Sequence, residues 1–293
     1  LLGQRDPGRL RDHPPVAADA GIDMSGLATV SAIVVSYRTG PRLHECLYAL
    51  KSDPDISEII LVDNGNPPDA EAWIDGFIAR TDKARLIRSG DNPGFGTAVN
   101  LGAASALGDV LLVINPDAVI RRGSVGPLLA AREGQAEPVL VGGKIFDTGG
   151  HEERGCRRNT LTLWRALGLG KWTLEDEPAP SGPIAVGAVS GAFFLMGRKA
   201  FRKLGGFDED YFLHVEDVDL CRRVIEAGGS VIYQPLAGAL HYGSTSKVPS
   251  SVVQAHKATS LARYFRKFAT GPFERALVML ATPLIGLVLK LRG

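Results

Sequence analysis

Cysteine is scarce in this sequence. It holds three cysteines, Cys46, Cys156 and Cys221, and no two of them form a CxxC pair. Structural zinc sites and disulfide frameworks need clustered or paired cysteines, so the sequence predicts neither of them. Isolated cysteines of this kind are typical of proteins from a reducing compartment, and a cytoplasmic location is predicted.

Apolar runs long enough to cross a membrane are also absent. The longest is ALVMLATPLIGLVL at residues 276–289, with 14 mostly apolar residues, whereas a spanning helix needs about 20. Arg275, Lys290 and Arg292 flank this run. Such a segment is suited to shallow burial at a membrane surface. The alternative is a helix that packs on the core of the protein.

Net charge is almost absent, but the charges are unevenly placed. The formal net charge is +1 for the whole chain, while residues 247–293 hold eight Lys and Arg against Glu274 alone. This asymmetry predicts an anionic partner for the C-terminal end, either nucleic acid or a membrane. Apolar residues dominate the last stretch, which favours the membrane, and nucleic-acid binding is not predicted.

Short apolar runs alternate with helical patterns in the first half of the chain. Buried strands are predicted at SAIVVS (31–36), EIILVD (58–63), ARLIRS (84–89) and DVLLVI (109–114). Helices are predicted between them, near 41–52, 69–80 and 95–107. This rhythm predicts an α/β fold with a mostly parallel sheet flanked by helices on both faces.

The rest of the chain divides by composition. Residues 1–29 are rich in Pro, Gly, Arg and Asp and predict a flexible N-terminal arm. Residues 146–183 are irregular and predict a long excursion or a lid. A further strand and three helices are predicted at 230–235, 216–227, 251–268 and 272–290.

Polar residues follow each predicted strand where it ends. They are Ser36-Tyr37-Arg38, Asp63-Asn64, Asp91-Asn92 and Asn115-Pro116-Asp117. Ligands of parallel α/β sheets bind beyond the carboxyl ends of the strands. These residues are therefore expected to share one edge of the sheet.

Asn115 and Asp117 are candidate ligands of a divalent cation. Pro116 cannot donate to a strand ladder, so it ends the strand and projects its neighbours past the edge. Oxygen ligands there suit Mg²⁺ or Mn²⁺ that also holds a substrate diphosphate. The alternative is a plain turn capped by Asp117.

Two further segments are candidates for nucleotide binding. Asp63 could accept a hydrogen bond from N3–H of uracil or thymine, or it could only form an Asx-turn. In DNPGFGTAVNLG (91–102), Gly94 and Gly96 precede a helix, but the stretch lacks the GxGxxG and GK[ST] patterns. A dinucleotide or P-loop interpretation is therefore weak, and the small residues instead allow the backbone to approach a nucleotide closely.

Glu216, Asp217 and His241 are candidates for chemistry. Two adjacent acids raise the pKa of one of them, and the other can serve as a general base. Acids at a helix start are also favoured by the helix dipole alone. His241 is followed by hydroxyl residues and Lys247, which could hold phosphate oxygens, although an isolated histidine is often structural.

The ordered motifs of the chain resemble those of family 2 glycosyltransferases, in particular the rhamnosyltransferase-like branch of bacterial cell-surface polysaccharide assembly. The resemblance covers about residues 30–245. It rests on IVVSYRTGPRLHECLYAL, EIILVDNG, DNPGFGTAVNLG, LLVINPDAVI, SGAFFLMGRKAFRKLGGFDEDYFLHVEDVDLCRRV and LHYGSTS.

This resemblance implies a GT-A fold with a nucleotide-binding half (30–122) and an acceptor half (123–245). The composition predicts a basic, apolar helical tail (246–293) after them. The resemblance also implies that Asp63 recognises the base, that Asp117 and His241 bind Mg²⁺ or Mn²⁺, and that Asp217 is the catalytic base beside Glu216. Asn115 stands where many members have Asp. Arg38 stands where Asn is usual after Tyr. The candidates for the nucleotide sugar are Ser36, Tyr37, Arg38, Asp63, Asn64, Asn92, Gly94, Asn100 and Asn115, and those for the acceptor are Gly191, Ala192 and Glu216.

The implied reaction is an inverting sugar transfer to a hydroxyl of a glycan acceptor. The expected donor is dTDP-L-rhamnose, with a UDP-sugar as the alternative. The expected acceptor is linked to a polyprenyl diphosphate, which would place the enzyme peripherally on the inner face of the bacterial cytoplasmic membrane.

Two other classes of protein are alternatives. A sugar-phosphate nucleotidyltransferase would need a glycine-rich, basic loop after the first strand, whereas SYRTGPRLHE holds one glycine. A non-catalytic binding protein would follow if Asn115 has removed metal binding. Whether the chain forms a homodimer is left open.

Overall fold

The computed structural model describes residues 28–243 and 250–292, with residues 250–252 and 284–292 described as backbone only. Nearly all of the predicted N-terminal arm lies outside these ranges. So do Lys247 and the hydroxyl residues at 244–246.

The described strands and helices follow the predicted rhythm. The strands are β1 (Val30–Ser36), β2 (Glu58–Asp63), β3 (Ala84–Arg88), β4 (Val110–Ile114), β5 (Ala118–Ile120), β6 (Val139–Phe146), β7 (Arg157–Arg158), β8 (Ile184–Ala185), β9 (Ala188–Val189), β10 (Phe193–Gly197) and β11 (Ser230–His241). The helices are α1 (Arg42–Ser52), α2 (Pro68–Ala79), α3 (Phe95–Ser105), α4 (Val125–Arg132), α5 (Leu163–Ala166), α6 (Arg198–Lys203), α7 (Glu216–Glu226), α8 (Ser250–Phe268) and α9 (Pro272–Arg292).

One sheet runs through both predicted halves of the domain. Its order within the described residues is β3-β2-β1-β4-β10-β6-β11-β5, with β8 paired to β11. Strands β1 to β4 are parallel to one another, as predicted. Each strand of this group except β3 is fully buried, because helices cover both faces.

The second half of the sheet departs from the parallel pattern that was predicted for, and is found in, the nucleotide-binding half. β10 is antiparallel to both β4 and β6, and β5 and β8 are antiparallel to β11, whereas β6 and β11 are parallel. A fully buried apolar run such as FFLMG in β10 gives no sign of strand direction. The fold is a mixed α/β sheet whose first half is parallel.

The predicted tail is partly built into the domain. Leu261, Tyr264 and Phe265 of α8 pack with Tyr211 and Val218 in a second hydrophobic cluster. α8 is therefore an integral part of the fold.

The next helix, α9, is only half covered. Val278 and Ala281 are buried, while the side chains of Phe273, Met279 and Leu280 are 82%, 67% and 75% exposed. Among the described residues no helix combines the length and the apolarity that a membrane span requires.

Candidate active site

Asp63 lies at the carboxyl end of β2 with one carboxylate oxygen engaged and the other free. Oδ1 accepts hydrogen bonds from the amides of Gly65 (3.1 Å) and Asn66 (3.0 Å) and from Nδ2 of Asn66 (2.7 Å). Oδ2 is buried and has no hydrogen-bond partner in the described residues. Its nearest cation, Nε of Arg88, is 3.8 Å away. The Asx-turn alternative is therefore present, and it leaves an unused acceptor beside the turn.

Asn66, which the sequence reasoning missed, organises this corner. Its Oδ1 accepts from Oγ of Ser36 (3.1 Å) and from the amide of Arg38 (2.9 Å), and its Nδ2 donates to Asp63. Arg38 and Gly65 line an adjoining cleft of about 370 Å³ with Asn66. Asn66 follows the DNG turn directly, so turn chemistry was the signal that could have found it.

Tyr37 stands at the same corner. Its ring lies under the guanidinium of Arg38, 5.3 Å from ring centroid to Cζ, and 3.7 Å from the position that a Cβ on Gly65 would take. The half-buried ring therefore offers a flat apolar wall beside Gly65.

Asn64 and Asn92 join the loops that follow β2 and β3. Nδ2 of Asn64 donates to Oδ1 of Asn92 (2.9 Å), which also accepts from the amide of Gly94 (3.2 Å). Gly94 has φ +95°, and a Cβ there would lie 2.6 Å from the carbonyl oxygen of Phe212. These residues shape the edge of the site, and their predicted contact with a nucleotide stays a prediction.

Asn100 has a structural contact in place of a free amide. Its Nδ2 donates to the carbonyl of Phe207 (2.9 Å), and its Oδ1 accepts from the amide of the same residue (2.9 Å). Both ends of the amide are thus used to hold the chain after α6. The nucleotide contact predicted for Asn100 has no support in this geometry.

Asn115, Asp117 and His241 do meet, as predicted. Nε2 of His241 lies 3.1 Å from Oδ1 of Asp117 and 3.3 Å from Nδ2 of Asn115. His241 ends β11, which passes a bulge between Gln234 and Gly238 and pairs with β5 just after Asp117. Strand pairing therefore brings together residues that are 124 positions or more apart in the chain.

Glu153 completes this cluster and was missed because it lies in the irregular segment. Its Oε2 is 2.9 Å from Nδ1 of His241. Burial lowers the pKa of His241, but the hydrogen bonds and charges of Asp117 and Glu153 outweigh burial and raise it to about 9. The imidazole is thus held between two carboxylates.

The donor set fits a divalent cation once His241 releases the proton on Nε2, as metal binding to a histidine requires. A carboxylate on Nδ1 orients the imidazole so that Nε2 points at Asp117, the usual arrangement behind a metal-ligating histidine. In residues 28–243 and 250–292, no three His, Cys, Asp or Glu side chains converge as a preformed cage. Two protein ligands suit a metal whose remaining ligands are water and diphosphate oxygens. An imidazole ligand favours Mn²⁺ over Mg²⁺, which prefers oxygen.

The segment 190–192 connects the metal candidates with the predicted base. The carbonyl of Ala192 accepts from the amide of Asn115 (2.9 Å), and the amide of Gly191 donates to Oδ2 of Asp217 (3.0 Å). A Cβ on Gly191 would lie 3.1 Å from Cβ of Asp217, so any side chain at this position would crowd Asp217. Gly191 and Ala192, predicted to contact the acceptor, hold the site together through their backbone.

Asp217 is paired with Arg158, a second residue from the irregular segment that the sequence reasoning missed. Nη2 of Arg158 donates to Oδ2 of Asp217 (2.5 Å) and to the carbonyl of Val189 (2.7 Å), and Trp172 covers the guanidinium. Burial raises the pKa of Asp217, but the charge and hydrogen bond of Arg158 outweigh it and hold the net pKa below its usual value. Asp217 is therefore ionised.

Glu216 has the opposite environment. It is 6% exposed, and its Oε2 is buried without a hydrogen-bond partner among the residues that the structure describes. Burial and the adjacent charge of Asp217 raise the pKa of Glu216 to about 8. The two adjacent acids thus differ in charge at neutral pH, and Asp217 is the one able to accept a proton.

Comparison with known proteins agrees with this geometry. Residues 31–205 match the family Glycosyl transferase family 2. An N-acetylglucosaminyl-diphospho-decaprenol L-rhamnosyltransferase of Mycobacterium tuberculosis is 32% identical over 249 residues, which cover 76% of this chain and 80% of that protein. The low-salt glycan biosynthesis hexosyltransferase Agl10 of Haloferax volcanii is 22% identical over 75% of this chain and 69% of its own.

Solved structures share the fold at low sequence identity. GalNAc-T7, solved with UDP, GalNAc and Mn²⁺, superposes with a TM-score of 0.64 at 16% identity over 82% of this chain and 48% of its own, so this chain spans about half of it. The mannosyltransferase PcManGT of Pyrobaculum calidifontis, solved with GDP-Man and Mn²⁺, gives 0.61 at 16% identity over 92% and 74%. The predicted GT-A fold is confirmed. This chain belongs to glycosyl transferase family 2 and is a glycosyltransferase.

Proposed function

We propose that the protein transfers L-rhamnose from dTDP-L-rhamnose to a hydroxyl of a saccharide linked to a lipid diphosphate, with inversion at the anomeric carbon. One arrangement carries this proposal. The free oxygen of Asp63 and the Asp117–His241 pair lie where strands end, on one edge of the sheet. The ionised Asp217 lies in the first turn of α7 and is bonded to Gly191, in the segment that reaches the same edge. A nucleotide sugar laid along that edge meets a base acceptor, a cation site and a proton acceptor in turn.

The donor base follows from Asp63. Thymine and uracil present N3–H as a donor, and the buried, unpartnered Oδ2 of Asp63 is a matching acceptor. N3–H does not distinguish thymine from uracil, so a UDP-sugar is the alternative donor. The rhamnosyl group is proposed because the Mycobacterium tuberculosis relative is named an L-rhamnosyltransferase.

Asp117 and His241 would hold Mn²⁺ or Mg²⁺, with Glu153 orienting the imidazole. When bound, the cation supplies Lewis-acid stabilisation of charge on the diphosphate leaving group. Because Asn115 stands in place of a second carboxylate, the metal site carries one negative charge fewer.

Asp217 would act as the general base. Its carboxylate accepts the proton of the acceptor hydroxyl as that oxygen bonds to the anomeric carbon, and the bond from this carbon to the diphosphate breaks on the opposite side. A single displacement of this kind inverts the configuration. The amides of Gly191 and Val218 fix the carboxylate, at 3.0 and 2.8 Å, so its orientation is set before the acceptor arrives.

Donor binding is expected to depend on both the base and the cation. We expect dTDP-L-rhamnose with Mn²⁺, at about one hundred times its Kd, to raise the melting temperature by about 5–10 °C. A UDP-sugar should give a similar or smaller shift, and a GDP-sugar the smallest. Chelation with EDTA should remove most of the shift. Differential scanning fluorimetry over a nucleotide-sugar panel measures this.

Two histidine variants provide the control for that panel. His241→Ala should lose the Mn²⁺-dependent part of the shift, whereas His151→Ala should not, since the His151 side chain is 83% exposed and pairs only with Asp147. Equal shifts for every nucleotide sugar, or shifts that do not respond to EDTA, would contradict the proposal.

The exposed face of α9 would rest on a membrane surface. Phe273, Met279 and Leu280 expose apolar side chains, and basic residues surround them in the sequence, including Arg275. Apolar insertion and attraction to anionic lipids add together for such a helix. A lipid-linked acceptor would reach the enzyme at the same surface.

Membrane association is expected to depend on this face. Changing Phe273, Met279 and Leu280 together to Glu should lower partitioning onto phosphatidylglycerol vesicles at least tenfold, measured by co-sedimentation. The matched control changes three equally exposed leucines elsewhere, Leu107, Leu169 and Leu236, to Glu. Unchanged partitioning of the α9 variant, or an equal loss in the control, would refute the assignment.

A further inference from the structure

The first half of α8 lies against the loop that precedes the catalytic pair. Oγ of Ser260 donates to the carbonyl of Leu213 (3.0 Å), and the ring of His256 packs on Phe212 at 4.8 Å between centroids. Ser260 is buried at this contact. Residues three apart share a helix face, so Lys257 points from α8 toward the same loop.

Lys257 is partly buried but has no ion pair and no hydrogen bond with any residue that the structure describes. The charges that act on it are Arg154, Arg158 and Asp217. Burial lowers the pKa of Lys257, the two guanidiniums lower it further, and Asp217 alone opposes them. Lys257 therefore lies near two further cations and one ionised carboxylate.

Glu175, whose Oε1 lies 3.6 Å from Nε of Arg154, offsets one of these cations, and the other groups facing this recess leave a net positive charge. His214 lies near both Lys257 and Asp217, and its Nε2 is buried with no hydrogen-bond partner in the described part of the chain. Burial, followed by the charge of Lys257, lowers the pKa of His214, so it is neutral and offers a hydrogen-bonding nitrogen. Glu216, with its raised pKa, adds little negative charge at neutral pH.

An anionic ligand would resolve this imbalance. Arg158 already serves Asp217, whereas Arg154 is largely free: its side chain is 78% exposed, and its Nε lies 3.6 Å from Oε1 of Glu175. Lys257 and Arg154 are thus two available donors next to the base. Charged donors of this kind bind phosphate oxygens well.

We propose that Lys257 and Arg154 bind the diphosphate of the acceptor while Asp217 faces a hydroxyl of the attached sugar. This inference rests on the proposed function and deepens it. The diphosphate of the donor is assigned to the metal site at Asp117 and His241. The diphosphate of the acceptor is assigned to Lys257 and Arg154, so the two groups bind at different positions. α8 carries the acceptor site, and α9, which follows it directly, carries the membrane-facing side chains. The acceptor diphosphate therefore lies between the membrane and the base.

Two acceptors, one with the diphosphate and one without it, test whether Lys257 and Arg154 bind this group. Lys257→Ala and Arg154→Ala should each raise KM about 10- to 100-fold for an N-acetylglucosaminyl-diphospho-lipid. With the same sugar on a neutral alkyl chain, KM should not change. The KM for dTDP-L-rhamnose and the rate of donor hydrolysis should also stay as in the wild type. Lys203→Ala, an exposed lysine on α6, is the control.

Each other outcome decides against the proposal. A raised donor KM would assign the cations to the donor diphosphate, and equal effects on both acceptors would assign them a structural role. If the wild type transfers no rhamnose, the proposed function fails separately, and farnesyl diphosphate binding by calorimetry still tests the site. The wild type should bind this probe at least tenfold more tightly than either variant, and equal affinities would overturn the proposal.

Discussion

Replacing Asp217 with asparagine is expected to lower the rate of sugar transfer by about 10²- to 10⁴-fold, the usual contribution of a positioned general base. Asparagine keeps the shape of the side chain but cannot accept the proton of the acceptor hydroxyl. Donor affinity should stay within about twofold, because no donor contact is assigned to Asp217. Steady-state kinetics together with calorimetric titration of the nucleotide sugar measure the two effects.

The same substitution is expected to cost some stability. It removes the charge opposite Arg158, whose side chain is 9% exposed, and a buried charge without its partner is destabilising. Asp219→Asn is the matched control, because Asp219 lies two residues further along α7, is fully buried, and pairs with Arg223 (2.5 Å) and Lys267 (2.6 Å). It should lose stability and keep its turnover per folded molecule. Near-wild-type turnover in Asp217→Asn would refute the base assignment.

Replacing Asp63 with asparagine is expected to weaken binding of dTDP and UDP about 100-fold, as loss of a charged hydrogen bond inside a buried site predicts. Three donors, the amides of Gly65 and Asn66 and Nδ2 of Asn66, converge on Oδ1 of Asp63. They would hold the oxygen of the new amide in that place. Its NH₂ group would then stand where Oδ2 stood and oppose N3–H of thymine.

Cytosine sharpens this test because its N3 is an acceptor. Asp63→Asn should improve binding of CDP relative to dTDP, which calorimetry on the three nucleotides measures. The control is Asp147→Asn, a carboxylate that is 48% exposed and lies 3.5 Å from Nδ1 of His151; it should change none of the affinities. An unchanged preference for dTDP in the Asp63 variant would remove Asp63 from base recognition.

The sequence was sufficient to locate the residues that lie at the carboxyl ends of the parallel strands. Asp63 and Asn115 follow buried apolar runs that read as strands, and parallel strands bring their carboxyl ends to one edge. The direction of β10 could not be predicted, because it is buried on both faces and alternation is missing. Its antiparallel placement between β4 and β6 is what brings residues 190–192 to the site edge.

The partners of the predicted residues were beyond the reach of sequence patterns. Glu153 and Arg158 lie in a segment without periodicity, and they reach His241 and Asp217 across 88 and 59 positions. Only the folded chain shows that this excursion supplies the carboxylate behind His241 and the cation beside Asp217. The segment predicted as an excursion or a lid thus contributes two side chains to the site.

The central claim is that one edge of the sheet binds a thymidine nucleotide sugar and a divalent cation beside an ionised general base. This arrangement is proposed to transfer the sugar. The claim is tested most directly by incubating the purified protein with dTDP-L-rhamnose, Mn²⁺ and an N-acetylglucosaminyl-diphospho-lipid, and analysing the lipid product by mass spectrometry and NMR. The account predicts addition of one rhamnose with inverted anomeric configuration and release of dTDP. An unmodified lipid beside intact dTDP-L-rhamnose, or a product with retained configuration, would contradict it.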